Sequence, residues 1–283
     1  MVWMFVEVRL SHVNNKYSYK YNYAKNNPAV KTLLIGHSHF ENSVNPYLMG
    51  DSVFDFALSG SSWIFWDAKL AEQLYPTMPN LKTVIFPLGY IMPYQSPHYQ
   101  DHSGYEELLY MHSKYMNTPY DLFPQNIKYR SALLCNKIKN MQLWRDEYVD
   151  SLGYRKLDGK SLYFQEGLDL LRKYSLDNET DMLCYEEYRR YFIQLAKVCN
   201  QNNIRFVVVT CPCADCYVEA TCERGLKNLY DLVDSVAAHY PIEYFNYLND
   251  AEFREDSLYY NCSHLNKIGA DKFAKRLKQD LRL

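Results

Sequence analysis

The chain has 283 residues, 48% of them hydrophobic and 23% charged, with a formal net charge of −2. That length allows one large domain or two small ones with a sizeable core, and the balanced charge leaves no basic surplus to hold a nucleic-acid backbone. The 28 tyrosines suit either ordinary packing or an aromatic, hydrogen-bond-rich cleft of the kind sugars occupy.

The opening MVWMFVEVRL is apolar but interrupted by Glu7 and Arg9. It is too short to span a bilayer and lacks the basic n-region and small-residue cleavage site of a signal peptide. A polar, Tyr/Asn/Lys-rich lead follows (residues 11–30). KTLLIG (31–36) then reads as a buried strand, and SVFDFALSG (52–60) as a second that ends at Gly60. WDAKLAEQLYPTM (66–78) has helical spacing, with Leu70 and Leu74 on one face, and KTVIFPLG (82–89) is the third strand. NIRFVVVTCP (203–212) is a fourth, because Ile204 and Phe206 to Val209 are too continuously apolar for a half-exposed strand. CERGLKNLYDLVDSVAAHY (222–240) is an amphipathic helix, IEYFNYL (242–248) a fifth strand, and NKIGADKFAKRLKQDLRL (266–283) a terminal helix.

Strands separated by helices imply a parallel sheet covered on both faces. Right-handed crossovers make it an α/β fold, a three-layer αβα sandwich in a single domain. No strand is evident over residues 90–177, a Tyr-rich stretch that turns helical. It reads as an insertion after strand three, lying over the carboxyl edge where open α/β sheets bind ligands.

Several chemistries are excluded or weakly supported. No GxGxxG or GxxxxGK[ST] follows any strand, so dinucleotide and P-loop folds fail and no cofactor is expected. An α/β-hydrolase elbow needs Gly two residues after the serine, and Phe40 stands there. His98, His102 and His112 follow no metal-ligand pattern with nearby carboxylates, so no metal is assigned. Cys211, Cys213, Cys216 and Cys222 crowd together, yet only Cys213 and Cys216 have Cys-x2-Cys spacing. A zinc site, a local disulfide or free thiols all remain open.

The stretch TLLIGHSHFENSVNP places His37, Ser38 and His39 at the mouth of the first strand. Ser38 at a helix start gains from free N–H groups and the positive helix end. It can attack a carbonyl if a base takes its proton, and its own N–H can help hold the oxyanion. His264, in DSLYYNCSHLNKIGADKFAKRL, precedes a helix that Asn266 would cap. If that helix packs beside the first strand, its loop brings His264 to Ser38.

IGHSH, ALSGSS and NCSHLNKIGADKF together resemble the SGNH (GDSL-like) hydrolase superfamily. They are most similar to a bacterial membrane-associated branch with a GxSH first block and a DxxHLNxxGAxxF last block. The resemblance implies a flavodoxin-like sandwich with Ser38 as nucleophile, His264 as base, and the Ser38 and Gly60 N–H groups as oxyanion donors. It further implies an esterase or O-acyltransferase acting on a small-molecule or glycan ester, in an extracytoplasmic site behind a membrane anchor. The apolar opening segment would be the end of that anchor. His39 is expected to brace the turn and His37 to face either the pocket or solvent.

The departures are specific. Asn261 stands where the family has the Asp that orients the histidine, and Asp256 could supply the charge only if its loop folds back. His37 replaces the Asp of the GDS motif. FPLGYIM (86–92) lacks the third-block Asn, leaving Gly89 N–H or Tyr90 OH to fill in. A weakened or inactive relative that binds glycan or assists polysaccharide modification is the alternative reading.

Overall fold

The computed structural model describes residues 14–61, 63–96, 135, 138–139 and 148–283. Five parallel strands form the central sheet: β1 (Thr32–Leu34), β2 (Val53–Asp55), β3 (Thr83–Pro87), β4 (Arg205–Thr210) and β5 (Glu243–Asn246). Their order is β2-β1-β3-β4-β5, the flavodoxin-like doubly wound arrangement. Leu33 pairs with Phe54 on one side and Val84 on the other, and Val84 pairs in turn with Phe206. The sequence-predicted strands and their parallel sheet are therefore present. Winding reverses between β1 and β3, which opens a crevice beyond their carboxyl ends.

The α-helices bounded within the described residues are, in chain order, α1 (Lys16–Asn26), α2 (Ser38–Glu41), α3 (Pro46–Met49), α4 (Phe65–Leu74), α5 (Glu166–Arg172), α6 (Glu179–Gln201), α7 (Asp215–Glu219), α8 (Glu223–Ala237) and α9 (Lys267–Leu281). α6 packs on α4, α8 and β4, whereas α9 packs on α3. Asn266 caps α9 by accepting from Ile268 N and Gly269 N at 2.9 and 3.1 Å. Phe273, Ala274, Leu277 and Leu281 form its buried stripe. Burying each large apolar side chain is worth about 1.5–3 kcal/mol, so this stripe seats the helix and the loop that enters it. That loop contains a short antiparallel pair, β6 (Tyr259–Asn261) and β7 (His264–Leu265).

The polar lead differs from its expectation. α1 is capped by a reciprocal box between Asn15 and Ser18, and it buries Tyr17, Ser18, Lys20 and Ala24. Among the described residues Tyr17, Tyr75, Tyr94, Tyr188 and Tyr259 are core residues. Of the 90–177 insertion, the described ends hold a 3₁₀ turn (Met92–Tyr94) and α5. Its middle, with His98, His102 and His112, lies outside the described residues, as does the opening segment. Among the described residues no helix is long and apolar enough to cross a membrane.

Candidate active site

β1 delivers the chain to Gly36, whose φ of +98° and tight approach to the Pro87 ring leave no room for a side chain. This turn lets the chain leave the sheet and begin α2 at Ser38. The helix is only four residues long, shorter than a full crossover helix. His37 is its cap, with Nδ1 accepting the His39 N–H at 3.4 Å. From the far end of the chain, the β6–β7 loop places His264 Nε2 at 2.8 Å from Ser38 Oγ. The contact joins residues 226 positions apart, and Asn45 Nδ2 donating to Asp271 Oδ1 at 2.7 Å ties α9 to the same neighbourhood.

Asn261 packs its side-chain amide against His264. Its Oδ1 accepts the backbone N–H groups of Ser263 and His264 at 3.1 and 2.9 Å. Two obligatory donors fix that atom as the amide oxygen. It also lies 3.0 Å from His264 Nδ1, where it can accept the hydrogen of the Nδ1–H tautomer. That tautomer leaves Nε2 with its lone pair toward the Ser38 hydroxyl, as a general base requires. Ser263 Oγ, also 3.0 Å from Nδ1, is a second neighbour that the motif comparison did not single out.

The site is a row of uncharged imidazoles. His37 and His39 ring centres are 4.9 Å apart, and His39 and His264 are likewise 4.9 Å apart. Burial pushes His264 down to about 3, with His39 and Arg155 adding repulsion, although the residue is only half-buried and lines the cleft. Burial holds His39 at about 4. His37 lies well below the ordinary range, again by burial and then by its histidine neighbours. The Pro87 carbonyl offsets part of that, yet among the described residues His37 Nε2 has no partner at hydrogen-bonding geometry. Among the described residues no carboxylate perturbs these three imidazoles. Asp256 is 65% exposed and faces Lys160 Nζ at 3.8 Å, so it does not replace the missing Asp.

A cleft of about 180 Å³ lies over Ser38 and is lined by His37, His39, Gly60, Ile91, Met92, Gln95, Gly167, Leu170, Tyr217, Ser263 and His264. The N–H groups of Ser38 and Gly60 make no hydrogen bond to any described residue. Gly60 has φ +84°, a left-handed turn that other residues adopt only at a cost. Tyr90 is not among the residues that line the cleft. Its hydroxyl is turned away from the cleft, accepting the Cys222 N–H at 3.0 Å and lying 3.4 Å from Cys222 Sγ. Gly89 is also outside the lining. A Cβ added there would meet Met92 Cγ at 3.0 Å and lie in ordinary contact with the His39 ring at 3.5 Å. Ile91, Met92 and Gln95, just beyond, reach the cleft instead.

The cysteines Cys211, Cys213, Cys216 and Cys222 are free thiols. Among the described residues no group of three His, Cys, Asp or Glu side chains is arranged to hold a metal. No protein-family model, curated protein or solved structure matches the chain.

Proposed function

We propose that the protein is a serine esterase or O-acyltransferase of the SGNH type, working on a short acyl ester through an acyl-serine. The observation that carries this reading is the 2.8 Å contact of Ser38 Oγ with His264 Nε2, with the histidine's other nitrogen 3.0 Å from Asn261 Oδ1. Ser38 Oγ attacks the ester carbonyl as its proton passes to His264 Nε2. The tetrahedral oxyanion takes the free N–H groups of Ser38 and Gly60. As the C–O bond breaks, His264 returns the proton to the leaving alcohol. Water, or an acceptor hydroxyl, then attacks the acyl-serine as its proton passes to His264, and His264 returns that proton to Ser38 Oγ as the acyl–Oγ bond breaks.

The cleft supports a small acyl group. Pockets for drug-sized ligands run roughly 300–1,000 Å³, well above the volume over Ser38. A glycan acceptor or leaving group would lie outside it, across the mouth formed by Leu170 and Gly60. The test is hydrolysis of 4-nitrophenyl acetate against the butyrate and octanoate esters, with Ser38→Ala and His264→Ala as controls. Turnover that declines with chain length and vanishes in both variants is expected. Equal turnover by Ser38→Ala would defeat the proposal.

A second reading rests on the uncharged third member. Asn261 gives His264 no electrostatic help, which favours a binding protein on the same scaffold. Binding of an acetylated oligosaccharide that survives the combined Ser38→Ala and His264→Ala change, in a protein without esterase turnover, would support it.

A further inference from the structure

Behind the turn that carries Gly60 lies a buried charge pair that does not line the cleft. Lys20, on α1, is fully buried, and its Nζ lies 3.3 Å from Glu41 Oε1 and also donates to the Ala57 carbonyl. Glu41 is 2% exposed and stands at the end of α2, the short helix that Ser38 begins. Its Oε2 accepts the Ser59 N–H at 2.7 Å and the Ser59 hydroxyl as well. Burial works to raise the Glu41 carboxyl, but the Lys20 charge and the Ser59 donors outweigh it and hold the group ionised. The backbone of α2 is fastened too, since the Glu41 carbonyl accepts Arg155 N–H at 2.8 Å.

Stability alone does not call for such a pair, since well-packed apolar residues of like volume commonly serve as well or better. What the pair adds is direction. One carboxylate grips a backbone N–H, a hydroxyl and an ammonium, and so joins α1, α2 and the 57–59 segment at fixed distances. The residue that follows Ser59 is Gly60, whose N–H must converge with that of Ser38 for both to meet one oxygen.

We propose that Lys20 and Glu41 are positioning residues that set the Ser59–Gly60 turn against α2 and thereby keep the two oxyanion donors aligned. The catalytic purpose of this latch rests on the serine-ester reading above. The latch itself is a separate claim about the turn.

The experiment compares the full chain with a Lys20→Met/Glu41→Gln double variant, which removes both charges at near-constant volume, and with Ser59→Ala, which removes only the hydroxyl bond. Melting curves, 4-nitrophenyl acetate kinetics and amide hydrogen exchange over residues 55–61 are recorded for each. In the double variant kcat is expected to fall about 10- to 100-fold with KM within about twofold, as for a misplaced oxyanion donor, and exchange at Ser59 should quicken. Ser59→Ala should lose roughly three- to tenfold in kcat by the same logic, and it tests the latch even if the double variant does not fold. A folded double variant with wild-type kcat and wild-type exchange overturns the proposal. So does a kcat loss that merely follows the folded fraction. If the wild-type chain turns over no ester, the serine-ester reading fails, and the exchange comparison then decides the latch by itself.

Discussion

Asn261→Asp puts the account under its most quantitative strain. The substitution is isosteric, and the two backbone donors that hold Asn261 Oδ1, from Ser263 and His264, can be accepted equally by a carboxylate. The new charge lies next to His264 Nδ1, 3.0 Å from the oxygen it replaces. Taking about 4 Å between charge centres and an effective dielectric of about 20, the attraction to an imidazolium is about 4 kcal/mol. Asn261 is 8% exposed, so desolvating the carboxylate removes roughly half of that gain. The remaining ~2 kcal/mol corresponds to about a 30-fold rise in kcat. The pH profile gives an independent reading. In the wild type His264 is held near 3, so the base is already free at pH 4 and kcat/KM should be level from there to neutrality. In the variant the same ~2 kcal/mol raises the imidazole by about 1.5 pH units, so an acid limb should enter the profile near about pH 4.5. The assay is 4-nitrophenyl acetate hydrolysis between pH 4 and 8, with a melting curve for each protein. A folded variant with no rate gain and no new acid limb would refute the view that Asn261 orients the base without assisting it electrostatically.

Asp55 offers a stability test. Burial raises its carboxyl to about 8, against a smaller lowering by Lys20, and one of its oxygens has no partner. The folded state therefore keeps a proton that the unfolded state releases from its ordinary value of 3.8. Stability should fall as pH rises through this window, by up to ~1.4 kcal/mol per pH unit. Asp55→Asn should flatten that slope, so its Tm advantage over wild type should be larger at pH 8 than at pH 5; a constant or shrinking gap would count against the assignment. Asp67, also raised to about 8 by burial, should respond in the same direction. Gly36→Ala should cost the fold several kcal/mol, on the order of an overpacked core site with added backbone strain, because the new Cβ would meet Pro87 Cδ and Cγ at 2.6 Å. An unchanged Tm would show that the turn before Ser38 is looser than described.

The parts of the fold that sequence reasoning reached are those where one period dominates. Phe206 to Val209 are buried on both faces and read as an interior strand, and the spacing of Phe273, Leu277 and Leu281 marks α9. The pairing of Ser38 with His264 was legible because both lie in short blocks at element boundaries, where sequence order and sheet winding together specify position. α1 was not legible as a buried element, because Ser18 and Lys20 occupy its inward face and polar residues there cancel the apolar signal. The latch partner Glu41 shares that obscurity: nothing in SHFE distinguishes a core carboxylate from a solvated one until Lys20 arrives from a different segment. α6 does carry an inward stripe of Cys184, Tyr188, Phe192, Leu195 and Cys199, a signal that helical periodicity could have disclosed. For Tyr90, chain position says only that it follows β3. The N-terminus of α8 captures its hydroxyl through Cys222, a contact between residues 132 apart.

The central claim is that Ser38 is a nucleophile activated by His264. Incubating the full chain with a fluorophosphonate probe, followed by intact-mass measurement and peptide mapping, tests it most directly. A single adduct on Ser38, absent from Ser38→Ala and formed far more slowly by His264→Ala, is the expected result. No adduct on the folded wild-type chain, or one that persists undiminished in Ser38→Ala, would contradict it.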